Sequence, residues 1–196
     1  RDSKGCMYVF RRFISMTEPG EMPVAQYCDR PYSKTEFYEN CLKLAIYYDT
    51  KVLVEYNDSG FLKYFQDAGY QRYLMERPKS SDAPFGNPTN KYGIGMKSHQ
   101  KRFLTELLDD YIKQSCHNIF FLDLLREFTS YGKKNTDRVM SFGMSLIADY
   151  DYTRRIVSAD EEDFDLGLPT FDKKLNPGGY TEKGEDFTED FWGMDF

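Results

Sequence analysis

The sequence predicts a mixed α/β fold, and three observations carry that prediction. Two short β-rich runs joined by a turn come first, apolar spacing then alternates between helix and strand periods, and three helical patterns follow. In residues 6–14 the first run reads Cys-Met-Tyr-Val-Phe-Arg-Arg-Phe-Ile, and Thr17-Glu18-Pro19-Gly20 turns the chain. Residues 24–28 form the returning strand of an antiparallel hairpin. Ser33 offers a helix N-cap with Glu36 three residues later, the spacing of a capping box. Phe37, Cys41, Leu44, Ala45 and Tyr48 then recur at helical spacing.

Lys51-Val52-Leu53-Val54-Glu55 is a nearly continuous apolar strand of the kind buried on both faces of a sheet. Ser59-Gly60 opens a short helix to about residue 66, and residues 70–76 read as another strand. The stretch 77–92 is a long polar loop with three prolines, a length that in a compact domain is often functional. An amphipathic helix covers 98–115, with Phe103, Leu104, Leu107, Leu108, Tyr111 and Ile112 on one face. A second covers roughly 119–131. The third, 136–148, is apolar almost all round, as in a helix packed deep against a sheet. A leading hairpin followed by strand–helix–strand units makes the sheet mixed, because such units need a parallel crossover. That order fits the ribonuclease-H-like fold, and other mixed α/β folds share it.

Composition sets the outer bounds. The 196 residues suffice for one domain with a real core, and 16 Tyr with 16 Phe predict a core rich in rings. No apolar run approaches a membrane span, so no membrane partner is expected. The opening Arg1-Asp2-Ser3-Lys4-Gly5 carries no secretory signal and reads as the interior of a longer polypeptide. Cys6, Cys28, Cys41 and Cys116 are scattered without a CxxC pair, which favours buried free thiols in a reducing cytoplasm over a disulfide framework or zinc site. The net charge is -6. From position 160 to 196 there are 12 acids against Lys173, Lys174 and Lys183, or -9 by count, so the rest sums to about +3. Residues 1–150 are therefore expected to form the domain, and 151–196 an acidic, largely disordered tail.

Two acids stand out by position. Glu55 ends the most apolar strand, where α/β sheets place ligands. Asp137 sits in the first turn of the most apolar helix. Burying an unpaired charge is costly, and coordination of Mg²⁺ by carboxylates is one compensation. Two such ions shared by acids from different elements support in-line phosphodiester hydrolysis. Each position also has a bland explanation: Asp suits a helix start through the dipole, and Glu at a strand end is often only solvated.

The stretch Val52-Leu53-Val54-Glu55-Tyr56-Asn57-Asp58-Ser59-Gly60 resembles the second nuclease motif of phage terminase large subunits, an apolar strand ending in Glu, then Asn, then a Gly that opens a helix. Asn135-Thr136-Asp137-Arg138-Val139-Met140-Ser141 resembles the third motif. Between them, Lys91-Tyr92-Gly93-Ile94 and Leu124-Leu125-Arg126-Glu127-Phe128 resemble the family's connecting segments, in the expected order. Tyr47-Tyr48-Asp49 and the 135–139 stretch are similar to terminases of the crAss-like phages in particular. The resemblance covers roughly residues 4–148. It implies a ribonuclease-H-like endonuclease domain that cuts concatemeric genomic DNA, with Glu55 and Asp137 as catalytic metal ligands for Mg²⁺ or Mn²⁺. Double-stranded DNA, a portal protein and a small terminase subunit are the implied partners, and the host cytoplasm the implied location. The acidic tail is a candidate portal-docking segment.

Three departures from the family pattern shape the expectation. Thr136 stands where the third motif usually has its first acid. The family's first motif, a strand bearing Gly-x-Asp before the hairpin, has no counterpart; Asp2 is nearest and lies in a Ser-Lys-Gly turn. No GxxxxGK[ST] phosphate loop occurs, so the family's ATPase domain is not represented. The expectation is an N-terminal strand missing from this stretch, an incomplete metal site, and poor cutting by these residues alone.

His99 is expected on a solvated helix face and His117 just past a helix end. Glu127 reads as an ion-pair partner or a support for the metal ligands. Lys97, Lys101, Arg102, Lys133, Lys134 and Arg138 are candidate phosphate contacts or a solvated charged face. Two alternatives to the terminase nuclease remain: a non-catalytic DNA- or portal-binding module of the same fold, and a stand-alone nuclease or resolvase.

Overall fold

In the computed structural model, residues 4–12, 20–56, 59–78, 91–133 and 136–163 are described, the last ten through their helical backbone only. The chain divides into units Arg1–Val157 and Ser158–Phe196, and the elements below belong to the first, with the end of the last helix passing into the second. Strands β1 (Gly5–Arg11) and β2 (Met22–Asp29) pair antiparallel, from Gly5 opposite Asp29 to Arg11 opposite Met22. The register shifts between Val9 and Phe10, and Pro23 stands opposite Phe10, where an irregular ladder tolerates a residue without an N–H.

Ser33 caps α1 (Lys34–Tyr47) as its sequence predicts, its Oγ accepting the Glu36 N–H at 3.1 Å. The helix closes with Asp49 N–H donating to Ile46 O and Thr50 N–H to Ala45 O, while Asp49 adopts a φ of 45°. That is a left-handed cap, with Asp in the role usually taken by Gly. Helix α2 (Ser59–Asp67) ends the same way on Gly69, at φ 77°. A single 3₁₀ turn, Gln71–Tyr73, follows. Helices α3 (Ser98–Ser115), α4 (Leu122–Phe128) and α5 (Asp137–Asp163) complete the described part.

Between the hairpin and α3 the predicted strands survive only as bridges. Val52 pairs with Leu74 and Glu55 with Ile94, both parallel, and Glu76 pairs antiparallel with Tyr92. The expected strand over 70–76 loses its first half to the 3₁₀ turn, so too few residues are left for a continuous ladder. The expected strand over 51–55 is half-buried at positions 52–55, not buried on both faces as predicted. Among the described residues the named sheet is therefore the two-stranded hairpin, in a mixed α/β chain with five α-helices.

Side-chain alternation nonetheless sorts hairpin and bridged segments onto the same two cores. Met7, Val9, Val52, Val54 and Leu74 pack with Cys41, Leu42 and Ala45 of α1 and Phe61, Leu62 and Phe65 of α2. Tyr8, Phe10, Leu53 and Ile94 turn to the opposite core, built on Leu104 and Leu108 of α3, Leu124 of α4, and Val139, Phe142 and Ile147 of α5. Phe142 is the hub of that core, its ring edge-on to Tyr8 at 5.8 Å and to Tyr111 at 5.1 Å.

Helix α5 continues past the predicted end at residue 148, to Asp163. Beyond residue 148 the sequence has no Gly or Pro before Gly167, and the helix is gripped near residue 149 by Arg12 from the end of β1. The Arg12 guanidinium pairs with the Asp149 carboxylate at 2.7 Å, donates to the Asp149 carbonyl and to Thr153 Oγ1, and lies 4.2 Å from the Tyr152 ring centre. No helix among the described residues is long and apolar enough to cross a membrane. Asp2, the 79–90 part of the long loop, and the acidic tail beyond 163 lie outside the described residues.

Candidate functional site

Glu55 is held through its backbone. Ile94 N–H donates to Val54 O at 2.9 Å and Tyr56 N–H donates to Ile94 O at 2.7 Å, so one residue of the partner segment clamps both sides of Glu55. Gly93 makes that approach possible. Its φ is 77°, and a Cβ there would stand 3.3 Å from Val54 O, so a side chain would be both strained and crowded. The bonds from this segment leave through Val52, Val54 and Tyr56, which alternation places on one edge. The Glu55 side chain is half-buried, and alternation puts it on the Leu53 side, toward the core that α5 helps build.

Asp137 opens α5, the helix that contributes Val139, Phe142 and Ile147 to that core. Its Oδ2 accepts the Lys4 N–H at 2.7 Å, tying the helix start to the residue preceding β1. A carboxylate in a first turn also meets the positive end of the helix dipole. Thr136, at the position of a family acid, is buried, and its carbonyl accepts the Met140 N–H. Its side chain offers a hydroxyl and no carboxylate.

The next residue shows what sequence reasoning left open about Glu127. Glu127 Oε2 accepts the Arg138 N–H at 3.0 Å, and Oε1 takes the Arg138 guanidinium at 2.9 Å. One carboxylate thus caps α5 from α4 and neutralises its first cation, with Asp123 Oδ2 another 3.7 Å from that guanidinium. Arg138 is only 16% exposed, so of its two sequence readings, phosphate contact or solvated face, the second does not hold. Arg102 pairs along its own helix with Glu106, whereas Lys97, Lys101 and Lys133 are exposed. Lys134 lies outside the described residues. His99 and His117 are both exposed, His117 in a 3₁₀ turn directly after α3.

The structure places Glu55 at the bridge to Ile94 and Asp137 at the first residue of α5, two elements that both contribute to the core of Leu53, Ile94, Val139 and Phe142. It adds no third ligand: among the described residues no group of three His, Cys, Asp or Glu side chains is placed to hold a metal ion. Sequence spacing missed a different pair. Cys6 and Cys28, 22 positions apart, are cross-strand partners in the hairpin. The signal was present in the register of the two predicted strands, which brings together residues that no linear motif connects. Cys6 thiol donation to Cys28 lowers the Cys28 pKa, with Arg138 and Tyr8 acting in the same direction, and raises that of Cys6. No protein-family model, curated protein or solved structure matches the chain.

Proposed function

We propose that the chain is a ribonuclease-H-like nuclease domain of a phage terminase large subunit, cutting duplex DNA with Mg²⁺ or Mn²⁺ held by Glu55 and Asp137. The observation that supports this best is the placement of the two carboxylates on elements that share one core: Glu55 ends the 51–55 segment, which contributes Leu53 and bridges to Ile94, and Asp137 opens α5, which contributes Val139 and Phe142. Both are oxygen donors, as hard divalent cations require, and they come from two separate elements. The ordered resemblance over residues 4–148 supplies the family and the DNA, portal and small-subunit partners.

Bound ions would neutralise phosphate charge and lower the pKa of the attacking water. The chain's own contribution is positioning. The Ile94 clamp fixes the Glu55 backbone, and the Lys4 N–H and Glu127 cap fix the start of α5. Two carboxylates are too few for a two-ion site, so the proposal includes a further Asp, which the resemblance places on a strand before the hairpin. Exposed Lys97 and Lys101 at the start of α3 are available to neighbouring phosphates.

The test is plasmid cleavage in Mn²⁺ by the full-length protein, against Glu55→Ala and Asp137→Ala. Each substitution is expected to abolish cutting, and retained cutting by both variants refutes the assignment. Mn²⁺ titration separates a nuclease from a non-catalytic DNA- or portal-binding scaffold. A scaffold binds the ion no more tightly than the double variant does.

A further inference from the structure

We propose that Cys6 and Cys28 form a redox-active dithiol, which closes to a cross-strand disulfide on reaction with a small-molecule disulfide oxidant. The inference does not depend on the nuclease assignment. It stands on register: Cys6 lies directly opposite Cys28, flanked by the Gly5–Asp29 and Met7–Tyr27 pairs. Directly opposed residues of an antiparallel ladder have Cα atoms about 4.5 or about 5.5 Å apart, according to pair type. Both values fall within the roughly 4.4–6.8 Å that a disulfide bridges. The hairpin therefore presents the two sulfurs to each other without backbone rearrangement. Ser141 Oγ donates to the Cys6 carbonyl at 2.9 Å, pinning one partner to α5.

Both thiols are free and half-buried, so a small oxidant has access to them. The other two cysteines have different surroundings. Cys41 is buried, and desolvation pushes its thiol up to about 12. Cys116 is exposed, beyond α3.

The pair is also asymmetric in chemistry. Cys28 receives the Cys6 S–H and faces Arg138 and the Tyr8 hydroxyl, which favour its thiolate, while burial and Glu127 oppose it. Cys28 is thus the attacking sulfur. Its thiolate attacks one sulfur of the oxidant R–S–S–R, forming a mixed disulfide and expelling R–S⁻. Cys6 then gives up its proton to that thiolate and attacks the Cys28 sulfur, expelling the second R–S⁻. The second R–S⁻ takes up from solvent the proton that Cys28 released, so two protein thiols are oxidised and one small disulfide is reduced to two thiols. Closure joins the two sulfurs near Arg138 in a neutral S–S group.

The experiment uses oxidised glutathione with the Cys116→Ser variant, which removes the exposed competitor. Peptide mapping is expected to show one Cys6–Cys28 disulfide, with both thiols lost to alkylation together and restored by reductant. In the Cys6→Ser variant, which lacks the resolving thiol, glutathione is expected to remain on Cys28. The proposal is overturned if wild-type and Cys116→Ser chains, folded by circular dichroism, keep Cys6 and Cys28 alkylatable throughout. It is equally overturned if glutathione accumulates on Cys6 or Cys28 of the wild-type chain without an intramolecular link.

Discussion

Glu55 and Asp137 are held in two different ways. Glu55 depends on three segments distant in sequence, 51–56, 73–76 and 91–94, joined by single bridges, with one glycine allowing the closest approach. Asp137 begins a long helix that is anchored by a core, capped from α4 and gripped near residue 149 by Arg12. The difference shows where each carboxylate is vulnerable. Asp137 can be displaced only by loosening a helix with several independent supports, whereas Glu55 can be displaced at one backbone contact.

The largest expected effect tests the helix. Phe142 is fully buried among the rings of Tyr8, Phe10, Tyr111 and Phe128. Phe142→Ala is expected to cost about 3–5 kcal/mol, from lost transfer energy plus the cavity left behind, read as a lower urea midpoint. A cost below about 1 kcal/mol would mean that the core collapses around the vacancy and that α5 is less firmly packed than its burial indicates.

Glu127→Ala removes the cap and the guanidinium partner together, leaving Arg138 mostly buried with the more distant Asp123. Hydrogen bonds to charged groups carry roughly 1.5–3 kcal/mol, and a loss of that size is expected. Glu127→Gln keeps an acceptor for the Arg138 N–H but removes the charge. If Gln restores most of the stability, the cap outweighs the ion pair.

Gly93→Ala tests the other carboxylate. Holding a residue with a Cβ in the left-handed region costs roughly 1–2 kcal/mol, and here the added methyl also crowds Val54 O. The expected result is a modest loss of stability with faster hydrogen exchange at the Ile94 and Tyr56 amides, while α5 amides are unchanged. Uniformly faster exchange throughout would show that the two supports are not separable.

That contrast also explains how much was legible in the sequence. The hairpin, the Ser33 cap and the limits of α3 follow from local signals: a turn, a capping side chain, an unbroken apolar stripe. The 51–55 and 70–76 strands have the right composition, but pairing depends on which distant backbone reaches them, and a 3₁₀ turn took half of one. For α5, its start and apolar face were legible while its continuation past 148 was not, because the Arg12 grip joins positions more than a hundred residues apart. The positions of Glu55 and Asp137 could be read from their elements; that those elements share one core required their packing. Cys6 and Cys28 were treated singly because spacing motifs are linear, while a hairpin pairs residues by register.

The smallest expected effect concerns the far grip on α5, where an apparent ion pair misleads. Asp149 meets Arg12 at 2.7 Å, yet its pKa is raised: burial outweighs the lowering by Arg12, and Glu21 adds to the rise. A carboxyl whose folded pKa lies above its unfolded value contributes stability that is fully present below the unfolded pKa. That contribution is lost as pH rises through the folded one. At neutral pH the ionised Asp149 is therefore a net burden on the folded state despite its partner, as half-buried ion pairs can be. Asp149→Asn keeps an oxygen that can accept from Arg12, and the Arg12 bonds to Thr153 and to the Asp149 backbone carbonyl do not involve the charge. The substitution is expected to leave neutral-pH stability unchanged or slightly higher. Relative to the variant, the wild-type chain should gain stability on acidification through its raised folded pKa. Urea unfolding of both proteins at neutral pH and in the carboxylate range measures this directly. A clear loss in the variant at neutral pH would show that the Arg12 attraction prevails over burial, and that α5 is held at residue 149 by charge as well as by hydrogen bonds.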